Sequence, residues 1–140
     1  MITKTGSAKW QGAIKDGKGE VSTQSGALSS QPYGFGTRFE DKPGTNPEEL
    51  IGAAHASCFA MALSKELGEA GITDIQIEAK SAISLDKDGD GFTIRTAALT
   101  ATVSGKGDRD VIEKAAEGAK SGCPVSKLLN ADVTLDLTIS

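Results

Sequence analysis

Two cysteines, one histidine and three arginines are the scarce reactive side chains of this 140-residue sequence. Cys58 and Cys123 stand 65 positions apart. There is thus no Cys-x-x-Cys motif, and two cysteines are too few for a disulfide scaffold. Each reads either as a small buried hydrophobe or as chemistry. His55 precedes Cys58 by about one helical turn, which raises a His/Cys/Cys metal set or a Cys–His nucleophile pair. A structural zinc site wants a fourth ligand and more closely paired cysteines, and the sequence has no second histidine. The zinc-deaminase pattern fails too, because Ser57 and not glutamate follows His55 by two places. Asp86-x-Asp88-x-Asp90-Gly91 opens like a calcium loop but carries Ala97 where that loop needs its bidentate glutamate. Neither Gly17-Lys18-Gly19 nor Gly34-Phe35-Gly36 is long enough to cradle a phosphate. The expectation is no metal and no cofactor.

Reactive thiol chemistry needs a thiolate, and an ordinary cysteine is only a few per cent ionised at neutral pH. Gly122-Cys123-Pro124-Val125 places Cys123 at a helix N-terminus, where unpaired amides and the helix dipole favour the anion. Cys58, inside an alanine-rich helix, reads by itself as buried and inert; to react, it needs a cation supplied from elsewhere in the fold. Arg109 opens a helix and Arg95 lies in a hairpin strand. Arg38, flanked by aromatics, is the arginine most suited to a site. A buried guanidinium wants a carboxylate to hold its plane. Glu48 and Glu49 are both available, and Glu49 already has work at a helix cap.

The elements that must position these residues are marked along the chain. Ala8, Trp10, Gly12 and Ile14 alternate with polar neighbours, Asp16–Gly19 is a turn, and Val21, Thr23 and Ser25 continue as a weaker strand. Residues 33–40 read as a third extended piece. Asn46 is a good N-cap with Pro47 at the first helical position and Glu49 three residues on. From Leu50 to Leu63 that helix is apolar on nearly every face, which places it in the middle of something. Gly71 is its expected stop. Two alternating strands near 74–85 and 92–104 flank Asp88-Gly89-Asp90-Gly91 as a hairpin. Asp108 caps a helix from Arg109 to Lys120, and Pro124 opens a short one through Leu129. Val133, Leu135, Leu137 and Ile139 form a period-two strand. This order predicts an α+β fold with a mostly antiparallel sheet, in one domain spanning residues 1–140.

Composition narrows the function class. A net charge of −4 and a pI near 5.0 argue against a nucleic-acid grip. No apolar run reaches membrane-spanning length, and the first residues lack the apolar core of a signal peptide, so a cytoplasmic protein without membrane attachment is expected. With 38% hydrophobic residues, 4% aromatic and seventeen glycines, the chain is short of core. Some of its apolar burial should come from a partner subunit.

Residues 45–59, TNPEELIGAAHASCF, closely resemble the OsmC/Ohr family of thiol-dependent peroxidases, and GCPVS at 122–126 matches that family's second motif. Residues 31–40, QPYGFGTRFE, look like the OsmC branch in particular. The resemblance runs over essentially the whole chain. It implies an OsmC-like fold, with antiparallel sheets wrapped around a long central helix in an intertwined homodimer. It also implies roles. Cys58 corresponds to the peroxidatic thiol, which attacks a hydroperoxide and becomes a sulfenic acid. Cys123 corresponds to the thiol that condenses with it to a disulfide, later reopened by a dithiol such as a lipoyl protein or small dithiol. Arg38 matches the arginine that activates the thiolate, and Glu48 the glutamate that orients it. Helix arithmetic supports a dimer independently. Glu48 and Cys58 are ten residues apart, about 15 Å along one helix, which one arginine cannot easily bridge. Two antiparallel copies crossing near Ala53 would set Glu48 of one chain level with Cys58 of the other, with Gly52, Ala53, Ala54 and Ala56 allowing close approach.

The reading is a peroxidase for organic hydroperoxides, acting less readily on hydrogen peroxide, with Tyr33, Phe35 and Phe39 forming an apolar substrate mouth. The competing reading is a non-catalytic, stress-induced ligand-binding or redox-sensing dimer whose cysteines are structural. One equivalent of tert-butyl hydroperoxide separates them: thiol titration should show both thiols lost to a disulfide in the first case and untouched in the second.

Overall fold

Alternation in the first third of the chain produces three short strands in the computed structural model, which describes residues 1–140. Strands β1 (Gly6–Gln11), β2 (Lys18–Thr23) and β3 (Gln31–Tyr33) pair antiparallel in that order. They belong to the first of two compact units, Met1–Leu50. Here the aromatic-rich segment departs from expectation. It is extended only through Tyr33, and Phe35–Phe39 closes into a short helix, α1. Aromatics favour strands in general, but a local device prevails. The Gly34 N–H donates to Thr37 Oγ1 at 2.9 Å, the Thr37 hydroxyl donates back to the Gly34 carbonyl at 3.0 Å, and the Arg38 N–H reaches the same carbonyl at 3.1 Å. The turn brings the Phe35 and Phe39 rings to 5.1 Å between centroids.

The long helix α2 (Pro47–Glu69) starts and stops where its signals stand. Asn46 Oδ1 accepts the Glu49 N–H at 2.9 Å. At the other end Gly71 takes a φ of 85°, and the Ile72 N–H closes on the Leu67 carbonyl at 3.0 Å. Burial along α2 is narrower than its composition predicts. Gly52, His55, Phe59, Leu63 and Leu67 form one buried stripe, whereas Ala53, Ala54 and Met61 are exposed. Within one chain, packing reaches only one side of the helix.

The second unit, Ile51–Ser140, is built on a hairpin of β4 (Thr73–Asp88) and β5 (Gly91–Lys106), turning at Gly89-Asp90. Asp108 caps α3 (Arg109–Gly122) by accepting the Asp110 N–H at 2.8 Å. Helix α4 (Pro124–Leu128) follows, then β6 (Asp132–Ile139). The two helices carry the chain back across the sheet, so β6 joins β5 in parallel, giving the order β4-β5-β6. Three of the four strand pairings in the chain are antiparallel, as an α+β reading requires. The core fills from three sides: Phe59, Leu63 and Leu67 from α2, Leu99, Ala101 and Val103 from β5, and Ile112, Ala116 and Ala119 from α3. No helix is long and apolar enough to cross a membrane.

Gly52 turns toward its own sheet, not toward the free face of α2 as expected. A Cβ there would lie 2.8 Å from the Ser81 carbonyl oxygen of β4, a backbone atom with little room to yield. Only a glycine lets α2 seat this close. Gly52→Ala gains about 1 kcal/mol of helix propensity but overpacks the contact by about 1–3 kcal/mol. The expected net result is a lower urea midpoint, with displacement of the Ser81 amide resonances.

Candidate active site

The first unit assembles a cation beside an apolar hollow. Arg38, on α1, meets Glu48, in the first turn of α2. Nε lies 3.0 and 3.2 Å from the two carboxylate oxygens, and the terminal nitrogen lies 2.8 Å from Oε1. Glu48 is 13% exposed and Arg38 37%, so the guanidinium is held flat while part of it stays open. Its carbon also stands 5.4 Å from the Phe39 ring centroid. Tyr33, Phe35, Arg38 and Phe39 all line one cavity of about 270 Å³. Sequence reasoning missed the other lining residues, among them Trp10 and Ile14 from the first strand region. Trp10 stacks at 5.6 Å on Tyr33 across β2, a neighbour relation that only the strand register discloses.

The second unit brings the cysteines together. Both are free thiols, near enough that each bears on the other's ionisation. Cys58 is half-buried and opens onto a cleft of about 680 Å³ lined by Ser57, Met61, Lys65, Gly118 and Pro124. Cys123 is completely buried. It caps α4 with its own sulfur, which accepts the Ser126 N–H at 3.3 Å.

The two environments are opposite in effect. Burial pushes the Cys58 thiol up, as does the adjacent Cys123, with the Val125 N–H only partly offsetting this. Burial also acts against ionising Cys123. There, however, the Ser126 hydroxyl and N–H, Cys58 and the Val125 N–H can all donate to the thiolate once it forms, which outweighs burial and holds the thiol below its ordinary range.

His55 is the residue whose place the sequence disguised. It is fully buried on α2, with Nδ1 2.7 Å from Ser81 Oγ and Nε2 2.8 Å from Ser126 Oγ. Both nitrogens are thereby engaged by serine hydroxyls, so His55 completes no metal set with the cysteines. Ser126 Oγ in turn lies 3.3 Å from Cys123 Sγ. Serine 26 or 71 positions away along the chain leaves no local signal.

Residues 39–138 match the family profile described as "OsmC-like protein". The chain is 56% identical over 136 residues to "Peroxiredoxin OsmC" of Escherichia coli (strain K12), covering 96% of this chain and 95% of that protein. Its structure is similar to the crystal structure of the organic hydroperoxide resistance protein OhrB of Bacillus subtilis, with a TM-score of 0.67 and 27% identity over 97% and 98% of the two chains. It is also similar to an OsmC-like protein of unknown function from Vibrio cholerae O1 biovar eltor, with a TM-score of 0.72 over 98% and 99% of the chains. At 16% identity that last likeness is one of fold alone.

Burial lowers the pKa of His55 below its ordinary value of 6.5. The folded chain thus prefers neutral imidazole, while the unfolded chain takes up a proton near pH 6.5. This contribution to stability is present above pH 6.5 and is lost as pH falls through the folded-state pKa. The urea midpoint should drop between pH 7.5 and 5.5, and His55→Gln should flatten that part of the profile.

Proposed function

This chain belongs to the OsmC family, in its OsmC branch, and on that footing we infer that it is a thiol-dependent peroxidase acting on organic hydroperoxides. The observation that carries the reading is the thiol pair: one cysteine open to a cleft, the other buried, and the two near enough to bear on each other's ionisation. Cys123 has the environment more favourable to a thiolate, but a peroxide cannot reach it. Cys58 is accessible and is the nucleophile. Its thiolate attacks one oxygen of the O–O bond and forms a sulfenic acid, and the other oxygen leaves as alkoxide and takes a proton to give the alcohol. Cys123 then attacks the sulfenic sulfur, forming the disulfide and releasing water. A dithiol of the lipoyl or small-molecule kind restores both thiols by exchange.

A cation against Cys58 is needed to reverse the upward push of burial. Arg38, held flat by Glu48, supplies it. Tyr33, Phe35 and Phe39, joined by Trp10 and Ile14, offer an apolar wall that suits an alkyl or lipid peroxide over hydrogen peroxide. The chain works in the cytoplasm as an intertwined homodimer, and the site is composite. Two antiparallel α2 helices meet along the exposed stripe of Ala53, Ala54 and Met61, bringing Arg38 and Glu48 of one chain to Cys58 of the other.

Cys58→Ser should abolish peroxide consumption, whereas Cys123→Ser should complete one turnover and stall before the disulfide; normal turnover in Cys58→Ser ends the reading. Opposite charge moves a pKa by about 1–3 units. Arg38→Met should therefore slow Cys58 oxidation at pH 7 by roughly 10- to 1000-fold, with much of the rate returning at alkaline pH. Mixing Arg38→Met chains with Cys58→Ser chains should recover activity in the heterodimer, because one composite site is then whole. A site confined to one chain would stay dead in the mixture.

A further inference from the structure

Cys123 poses a chemical difficulty that the peroxidase reading leaves open. To attack the sulfenic sulfur it must lose a proton, yet it has no exposed surface through which water could take one. The structure contains a route. Cys123 Sγ lies 3.3 Å from Ser126 Oγ, Ser126 Oγ lies 2.8 Å from His55 Nε2, and His55 Nδ1 lies 2.7 Å from Ser81 Oγ. His55 is fully buried, Ser126 nearly so, and Ser81 on β4 is partly exposed. Every member has a partner, and the row runs from the sealed thiol to Ser81, the one member of the Ser126–His55–Ser81 row that keeps partial exposure.

We propose that Ser126, His55 and Ser81 form a proton relay that deprotonates Cys123 for its attack on oxidised Cys58. The proposal rests on the peroxidase reading and adds to it a role for three residues outside the cysteine pair and the Arg38–Glu48 pair. At rest the bonds run one way: the Cys123 S–H donates to Ser126 Oγ, the Ser126 O–H donates to His55 Nε2, and the His55 Nδ1–H donates to Ser81 Oγ. As Cys123 forms the S–S bond its proton passes to Ser126, the Ser126 proton passes to Nε2, and Nδ1 gives its proton to Ser81, which releases one to water. Meanwhile the S–O bond of Cys58 breaks, and the departing hydroxide takes a proton from water in the open cleft. The sum is one sulfenic acid and one thiol converted to one disulfide and one water, with no added oxidant.

Tautomer exchange is what makes a buried histidine suitable. The imidazole accepts on one nitrogen and releases on the other, so it ends neutral, as its lowered pKa favours. After the transfer the row runs in reverse: Ser81 donates to Nδ1, Nε2–H donates to Ser126, and Ser126 donates toward the sulfur. Ser126 touches the reacting sulfur; His55 and Ser81 act through it.

Two measurements on the full-length protein test this. In the first, one equivalent of tert-butyl hydroperoxide is added, and sulfenic acid (trapped with dimedone) and disulfide are followed by rapid quench and mass spectrometry. In Ser126→Ala the interval between sulfenic acid formation and disulfide closure should lengthen roughly tenfold or more, general acid–base groups being worth about 10²–10⁴-fold at most sites. Ser81→Ala should lengthen it less. An unchanged interval in Ser126→Ala overturns the relay. If the unaltered protein forms no sulfenic acid at all, the peroxidase reading fails instead. In the second, the histidine ring is labelled with ¹⁵N and its tautomer read directly in the reduced protein, where the single histidine needs no assignment. The expected signature is a neutral ring protonated on Nδ1. A resting Nε2–H tautomer or an imidazolium at pH 7 overturns the relay, whether or not the variants fold.

Discussion

A histidine sealed from water must have both ring nitrogens satisfied by the protein, and the geometry around the thiols follows from that requirement. His55 finds one partner on a strand and the other on a short helix, Ser81 of β4 and Ser126 of α4. The three elements are therefore locked in depth and rotation by two bonds of 2.7 and 2.8 Å. Gly52, one turn earlier on the same stripe, removes the side chain that would hold α2 off β4. Ser126 then fixes Cys123 twice, through its hydroxyl and through its N–H to the capping sulfur. The position of the buried thiol is thus a consequence of histidine burial as much as of its own packing.

That arrangement divides labour between two otherwise equivalent side chains. A thiol that caps a helix gains amide donors, and the same seat encloses it in the core beside Ala119 and Ile112. A thiol on a long helix flank can face an open cleft, and there it has only one backbone donor to counter desolvation. Ease of ionisation and access to a bulky peroxide are opposed in one chain. The proposed mechanism resolves this opposition by using both cysteines in turn and bringing charge to the accessible one.

What could be read from the sequence was what depends on near neighbours. Asn46-Pro47 sets the start of α2, Gly71 its end, Asp108 the start of α3, and Pro124 places Cys123 at an N-terminus; each is a signal within a few residues of its effect. The Arg38–Glu48 ion pair belongs with them, because a planar cation among aromatics demands a carboxylate and few were unassigned. Features that depend on distant partners were not readable. Phe35–Phe39 is helical because a threonine hydroxyl folds back on Gly34, a preference that aromatic content hides. His55 looked like a member of an incomplete metal set or the partner of a nucleophile, because serines at 81 and 126 carry no mark of their role. Trp10 and Ile14 join the apolar hollow only through strand register.

Low hydrophobic content takes on a different meaning in this light. The buried stripe of α2 is complete within the chain, yet the opposite stripe of small residues and Met61 lies bare. A helix apolar on all sides is therefore half satisfied by one copy, and on the peroxidase reading the unsatisfied half coincides with the unsatisfied chemistry. Arg38 is already oriented by Glu48 inside the first unit, without any contribution from a thiol. Cys58 is already set near Cys123 inside the second, where the one lysine lining its cleft, Lys65, is paired with Glu69. On the composite-site proposal each half is ordered before the copies meet, so a second copy would add charge to thiol with little further ordering of side chains. On that proposal, assembly and activation draw on the same apolar surface.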